Sequence, residues 1–167
     1  MPPRLRAALL GALALAALAC GKDHSAGRDD RAVTAPQGAD CGHAACGSNF
    51  FVDSVQAGDC AAGANCSLTL TLVATGAFHI NDEYPYKFRA DDAPGVIFLG
   101  KDTAGPSVFS KAASNWQKAA PQKGVMTVGF QSAKGQKSLS GTFKLSVCSE
   151  QNCQLEQQTV ATTITVH

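Results

Sequence analysis

The segment Gly141 to Cys153, GTFKLSVCSEQNC, leaves the chain few structural options. Phe143, Leu145 and Val147 alternate with Thr142, Lys144 and Ser146. Successive side chains on a strand point to opposite faces, so this period of two predicts a strand with the apolar trio turned toward a core. Ser149, Glu150, Gln151 and Asn152 then make a short turn, and a return strand begins at Cys153. Cys148 and Cys153 stand at its two shoulders. Opposed residues on antiparallel strands have Cα atoms roughly 4.5–5.5 Å apart, so the geometry permits a Cys148–Cys153 disulfide. The same alternation puts Cys148 on the polar face with Lys144 and Ser146. The pair is therefore expected on a reachable sheet surface near a hairpin tip.

Two roles are open to such a pair. A bond closing so short a loop contributes roughly 2 kcal/mol by chain entropy, less than one joining distant segments. It can be a local staple of the kind common in small exported domains. It can also be a redox-active pair. The sequence offers little to activate either sulfur: neither stands in a CxxC at a helix N-terminus, and Glu150 disfavours a nearby thiolate.

The export reading rests on the other end of the chain. Arg4 and Arg6 precede an unbroken run of Ala, Leu and one Gly from Ala7 to Ala19. That run falls short of the roughly 20 residues a membrane-spanning helix needs, and residues 1–19 read as a signal peptide. It ends Ala17-Leu18-Ala19-Cys20-Gly21, which resembles a bacterial lipobox with Cys20 as the lipidated first residue. Acyl chains on Cys20 would anchor the protein to a lipid bilayer without spanning it. Gly21, in place of Asp, points to the outer membrane, with the domain facing the periplasm. A soluble secreted protein cleaved at the same place is the alternative.

Residues 20–47 read as a tether. Gly21 to Asp40 is polar, charged and poor in large apolar groups. As a flexible coil it would span about 25 Å. Cys41, His43 and Cys46 within CGHAACG offer three metal ligands in principle, but a fourth is missing and the spacing matches no zinc pattern. A small disulfide loop is the reading adopted, and no metal or other cofactor is expected. Of 7 cysteines, those other than Cys20 fall into three close pairs, Cys41/Cys46, Cys60/Cys66 and Cys148/Cys153. Local pairing is our expectation among 15 arrangements. The chain carries 14 Lys and Arg against 13 Asp and Glu, and Arg4 and Arg6 lie in the leader. No basic stripe remains to suggest nucleic acid.

The domain proper is expected over 48–167. Phe50-Phe51-Val52 reads as a strand. Leu68, Leu70 and Leu72 alternate with Thr69, Thr71 and Val73 in a half-buried strand that Cys66 opens and the Cys60–Cys66 pair pins. AFHIN and YPYKFRA are two short extended pieces, with Pro85 marking an edge or a bulge. His79 reads as a packing or capping histidine. GVIFL is a further strand. Gly100 to Gly124 is the longest irregular stretch, holding Phe109 and Trp116, which are either core plugs or parts of a loop over a site. Met126, Val128 and Phe130 alternate in the next strand. In the last strand Val160, Thr162, Ile164 and Val166 share a face. Leu155 is out of phase with them, so a bulge near Gln157–Gln158 is expected unless Leu155 is exposed. No stretch has helical periodicity. About eight or nine short strands with regular turn signals predict an all-β, immunoglobulin-like antiparallel β-sandwich.

These residues together resemble the N-terminal periplasmic domain of the DsbD-type thiol:disulfide interchange proteins and the related disulfide bond corrector domains. The resemblance runs from about Asn49 onward. It rests on AFHIN followed by YPYKF, then GVIFLG, then a strand ending in a C-x4-C hairpin and a final strand. It implies an immunoglobulin-like fold, Cys148 and Cys153 as the electron-passing pair, and a thioredoxin-like periplasmic partner. The family carries an acidic–aromatic cap segment; in the corresponding Gly100–Gly124 region Phe109 and Trp116 form a candidate cap loop. Gln154-Leu155-Glu156 stands where the family often has two prolines.

Overall fold

The computed structural model describes residues 41–167. Residues 1–19, expected to be a signal peptide, together with Cys20 and the part of the expected tether through residue 40, lie outside them. Eleven strands follow one another: β1 (Ala45–Gly47), β2 (Phe50–Gln56), β3 (Cys66–Ala74), β4 (His79–Ile80), β5 (Lys87–Ala90), β6 (Val96–Phe98), β7 (Val108–Ser110), β8 (Trp116–Ala120), β9 (Lys123–Ser132), β10 (Gly135–Cys148) and β11 (Cys153–Val166). One sheet has the order β1-β2-β3-β9-β6, with β8 also on β9. The other has the order β11-β10-β5-β7, with β4 also on β10. Every pairing is antiparallel. The chain is an all-β, immunoglobulin-like sandwich.

The two sheets close on the residues that alternate in the sequence. Leu68, Leu70 and Leu72 of β3 and Met126, Val128 and Phe130 of β9 are buried from one side. Phe143, Leu145 and Val147 of β10 and Val160, Ile164 and Val166 of β11 meet them from the other. Each fully buried side chain of this size contributes about 1.5–3 kcal/mol. Aromatic rings bridge the layers: Trp116 meets Phe143 edge-on with centroids 6.0 Å apart, and Phe98 meets Phe109 at 6.3 Å. Two glycines make room for rings. A Cβ on Gly141 would come within 2.5 Å of the Phe88 ring, and one on Gly124 within 2.2 Å of the Trp116 indole.

The structure corrects two expectations and decides two alternatives. Cys41–Gly47 is not tether: β1 pairs with β2 as an edge strand, and Ala45 is buried. The domain therefore begins before residue 48. The Gly100–Gly124 stretch is not irregular throughout, since it contains β7 and β8. No bulge interrupts β11, whose register with β10 runs unbroken from Cys148↔Cys153 to Gly135↔Val166. Leu155 instead takes the solvent face, 69% exposed. Finally, Phe109 and Trp116 do not form a cap; both are core residues, 0% and 8% exposed. Backbone at that depth needs ladder partners, and β7 and β8 supply them.

Candidate functional site

The hairpin that carries the candidate pair is built as the alternation requires. Ser149 N–H donates to Asn152 O at 2.8 Å and closes the turn. The Ser149 hydroxyl accepts from the N–H groups of Gln151 and Asn152, each at 3.2 Å, which fixes the tip. Cys148 and Cys153 are directly opposed, with Cα atoms 4.0 Å apart and their sulfurs bonded. Both lie on the outward face of the sheet. They are unequal there: Cys153 is exposed, while Cys148 is 6% exposed and its neighbour Ser146 is 0% exposed. The expectation that both sulfurs stand on an open polar face holds for Cys153 alone.

The cause lies across β10 from β11. Ile80 of β4 is opposite Val147, and Lys87 of β5 is opposite Lys144. Seven steps of one strand thus face three of the other, and the surplus, Asn81 to Tyr86, is a bulge containing Pro85. Antiparallel pairs alternate between hydrogen-bonded and open. Ser149 and Asn152 form a bonded pair, so Cys148–Cys153 and Ser146–Leu155 are open, and the Ser146 peptide groups point at the bulge. The Tyr86 hydroxyl donates to Ser146 O at 2.6 Å, taking the place of the missing ladder bond. Asn81 Nδ2 donates to Ser146 Oγ at 3.2 Å and lies 4.0 Å from Cys153 Sγ. The bulge is tied down from beyond as well. Lys111 Nζ donates to Asp82 O, and Lys118 Nζ reaches Asp82 Oδ2 at 2.6 Å. The Lys118 hydrogen bond holds the Asp82 carboxyl below its ordinary range. The Tyr86 ring stacks on Trp116 at 3.9 Å, and burial pushes its phenol pKa up.

His79 was read from the sequence as a packing or capping histidine. Its place is different: it is exposed and directly opposite Cys148. Directly opposed side chains share a face with Cβ atoms roughly 4.5–5.5 Å apart. His79, Cys148 and Cys153 therefore form one row across three adjacent strands. His79, Asn81 and Tyr86 are the site residues that sequence reasoning missed. Their signal was the AFHIN and YPYKF segments, but the register that aligns them with Cys148 links positions far apart in the chain.

The other four cysteines among the described residues pair locally, as expected. Cys41–Cys46 closes the loop into β1, and Cys60–Cys66 pins the entry to β3. Cys60 O accepts from His167 N–H past the end of β11, roughly 40 Å along that strand from the redox candidate. His43 is not turned to those sulfurs. It lies 2.6 Å from Asp53 Oδ1 and stacks on Phe51 at 4.0 Å.

No protein-family profile matches the chain, and no curated protein does. Among solved structures it is similar to AggA, the major subunit of the aggregative adherence fimbriae type I of Escherichia coli. That match has 8% identity, a TM-score of 0.34, and covers 73% of this chain and 98% of that one. A PapD-like domain of human CEP192 matches at 11% identity and a TM-score of 0.22, covering 66% of this chain and 82% of that one.

Proposed function

We propose that the protein is an envelope lipoprotein that takes part in thiol–disulfide exchange through Cys148 and Cys153. The observation that carries this reading is the exposure of Cys153, which leaves one end of the disulfide open to a partner's attack. A partner thiolate attacks Cys153 Sγ, the Cys148–Cys153 bond breaks, and a mixed disulfide forms on Cys153 while its electron pair leaves on Cys148. A second thiolate of the partner then attacks the partner's own sulfur in the mixed disulfide, Cys153 leaves as a thiolate, and the partner departs as a disulfide. The reduced Cys148/Cys153 pair passes its two electrons to the next disulfide by the same steps in reverse. His79, opposite Cys148 on the same face, offers a ring N–H donor to a thiolate there, and a more stable leaving thiolate leaves faster. Leu155 lies two residues from Cys153 on the same face and offers an apolar contact to the partner. In this reading the partner is a thioredoxin-like protein of the periplasm, and Cys20 acyl chains hold the domain at the outer membrane.

Two measurements on the full chain test it. The pair's reduction potential is expected clearly above about −300 mV, the region of inert structural bonds. Cys148→Ser leaves Cys153 free and is expected to trap a mixed disulfide with thioredoxin, whereas Cys153→Ser traps far less. A potential below that mark, with equal trapping by both variants, leaves the second reading. That reading is a non-enzymatic binding or structural lipoprotein whose disulfides are staples, and the burial of Cys148 favours it.

A further inference from the structure

The outward face of the second sheet carries a second feature, independent of the disulfide. Lys87 of β5, Lys144 of β10 and Gln157 of β11 are directly opposed and form one row. Arg89, Thr142 and Thr159 form the next row on the same face. Rows on one face lie roughly 7 Å apart and neighbouring strands about 4.8 Å apart, so six side chains make a grid of about 7 by 10 Å. Lys87, Arg89, Thr142, Lys144 and Gln157 line an open groove of about 380 Å³ there.

The chemistry of the grid is one-sided. It holds three cations, two hydroxyls and an amide, and no carboxylate. Like charges directly opposed on neighbouring strands destabilise a sheet, and Lys87 faces Lys144. The ion pairs among the described residues join His43 to Asp53 and Lys118 to Asp82, so none of the three cations is paired there. The nearby carboxylates are held by other donors outside the grid; the Asp102 carboxyl, lowered in pKa chiefly by its Ser110 hydrogen bond, also feels the charges of Lys87 and Arg89 without pairing with either. Asp102 accepts from the Ser110 hydroxyl at 2.5 Å and Ala104 N–H at 2.9 Å, and Asp91 accepts from the Ser140 hydroxyl at 2.7 Å. Repulsion retained in a groove lined otherwise by donors is relieved by an anion of matching size.

We infer that this groove binds a phosphate-bearing ligand, with Lys87, Arg89 and Lys144 on its oxygens and Thr142 and Gln157 as neutral donors. Arg89 supplies a planar fork for two oxygens, and the lysines supply point charges. The grid's size suits a diphosphate or two adjacent phosphate groups. Free phosphate compounds and anionic lipid headgroups share this chemistry. Lys144 stands four residues from Cys148 on the same face, roughly 13 Å away, so the groove and the disulfide can be tested separately.

The experiment is calorimetric titration of the full-length oxidised protein with inorganic pyrophosphate, beside partition onto vesicles of phosphatidylcholine with and without phosphatidylglycerol. Lys144→Gln is expected to weaken pyrophosphate binding about tenfold, and Lys87→Gln with Lys144→Gln to abolish it. Added salt weakens wild-type binding. Lys123→Gln, on the other sheet, leaves it unchanged. Without ligand, Lys144→Gln raises the melting temperature, because it removes the facing charge; a merely structural lysine would not combine that gain with lost binding. Pyrophosphate binding assigns a soluble ligand. A phosphatidylglycerol preference that the double variant loses, without pyrophosphate binding, assigns a headgroup. Any lipid anchor cancels in the comparison of variants. The inference is overturned if neither probe distinguishes wild type from the double variant.

Discussion

Tyr86→Phe isolates a single atom of the candidate site. The ring stays, and with it the stacking on Trp116 at 3.9 Å. What goes is the hydroxyl that donates to Ser146 O at 2.6 Å. Ser146 is 0% exposed, and its carbonyl faces the bulge, where no β-strand partner reaches it. Removing one partner of a buried hydrogen bond and leaving an acceptor unsatisfied costs about 1–3 kcal/mol. For a domain of this size that lowers Tm by roughly 5–10 °C. Chemical denaturation with unchanged m-value measures the loss directly. A second signature is alkaline. An unfolded tyrosine ionises near pH 10, whereas burial raises the folded pKa of Tyr86 and keeps its proton on. Its contribution is thus fully present below about pH 10 and falls as pH rises above it, because the unfolded chain then binds fewer protons. Tyr86→Phe removes that part of the alkaline loss, so the two stability curves converge at high pH. An effect below 0.5 kcal/mol on the order-of-magnitude scale of surface changes, with parallel curves above pH 10, would refute the assignment of Tyr86 as the bulge's anchor.

Two further outcomes follow from single contacts. Gly124→Ala places a Cβ within 2.2 Å of the Trp116 ring and is expected to destabilise by about 1–3 kcal/mol, with altered tryptophan fluorescence. His79→Gln removes the imidazole opposite Cys148; dithiothreitol or thioredoxin should reduce the pair several-fold more slowly, while global stability, measured by denaturant unfolding, changes little because the side chain is exposed.

The local code was readable because each signal is short-range. The alternation of Phe143, Leu145 and Val147, or of Leu68, Leu70 and Leu72, assigns a face whatever the rest of the chain does. Each of the three disulfides closes a loop of five or six residues, so proximity in sequence anticipated them. Phe109 and Trp116 were ambiguous because an aromatic in a Gly- and Pro-flanked stretch has no periodicity to orient it. Leu155 defeated the alternation differently. The β10–β11 ladder gains more from unbroken pairing than from hiding one leucine, so the side chain stays outside. The unequal setting of Cys148 and Cys153 was beyond local reading altogether. It arises from the shift in register between β4 and β5 along β10, which depends on two pairings with a strand more than fifty residues later.

The weakness of the Cys148–Cys153 bond as a staple bears on what it can do. The strands it joins are already paired along 14 residues each, and the turn is held by Ser149. Closing a loop of this length contributes roughly 2 kcal/mol, and the ordered hairpin leaves less for the bond to restrict. Replacing both cysteines with serine is therefore expected to lower stability by no more than about 2 kcal/mol, measured by denaturant unfolding. The β10 core residues Phe143, Leu145 and Val147 should stay protected from hydrogen exchange, with any new opening confined to the tip and the Asn81–Tyr86 bulge. A fold that survives loss of this bond can pass repeatedly between oxidised and reduced forms without unfolding, which exchange with a partner requires. If the double-serine chain instead unfolds globally, the bond is scaffold and cannot cycle.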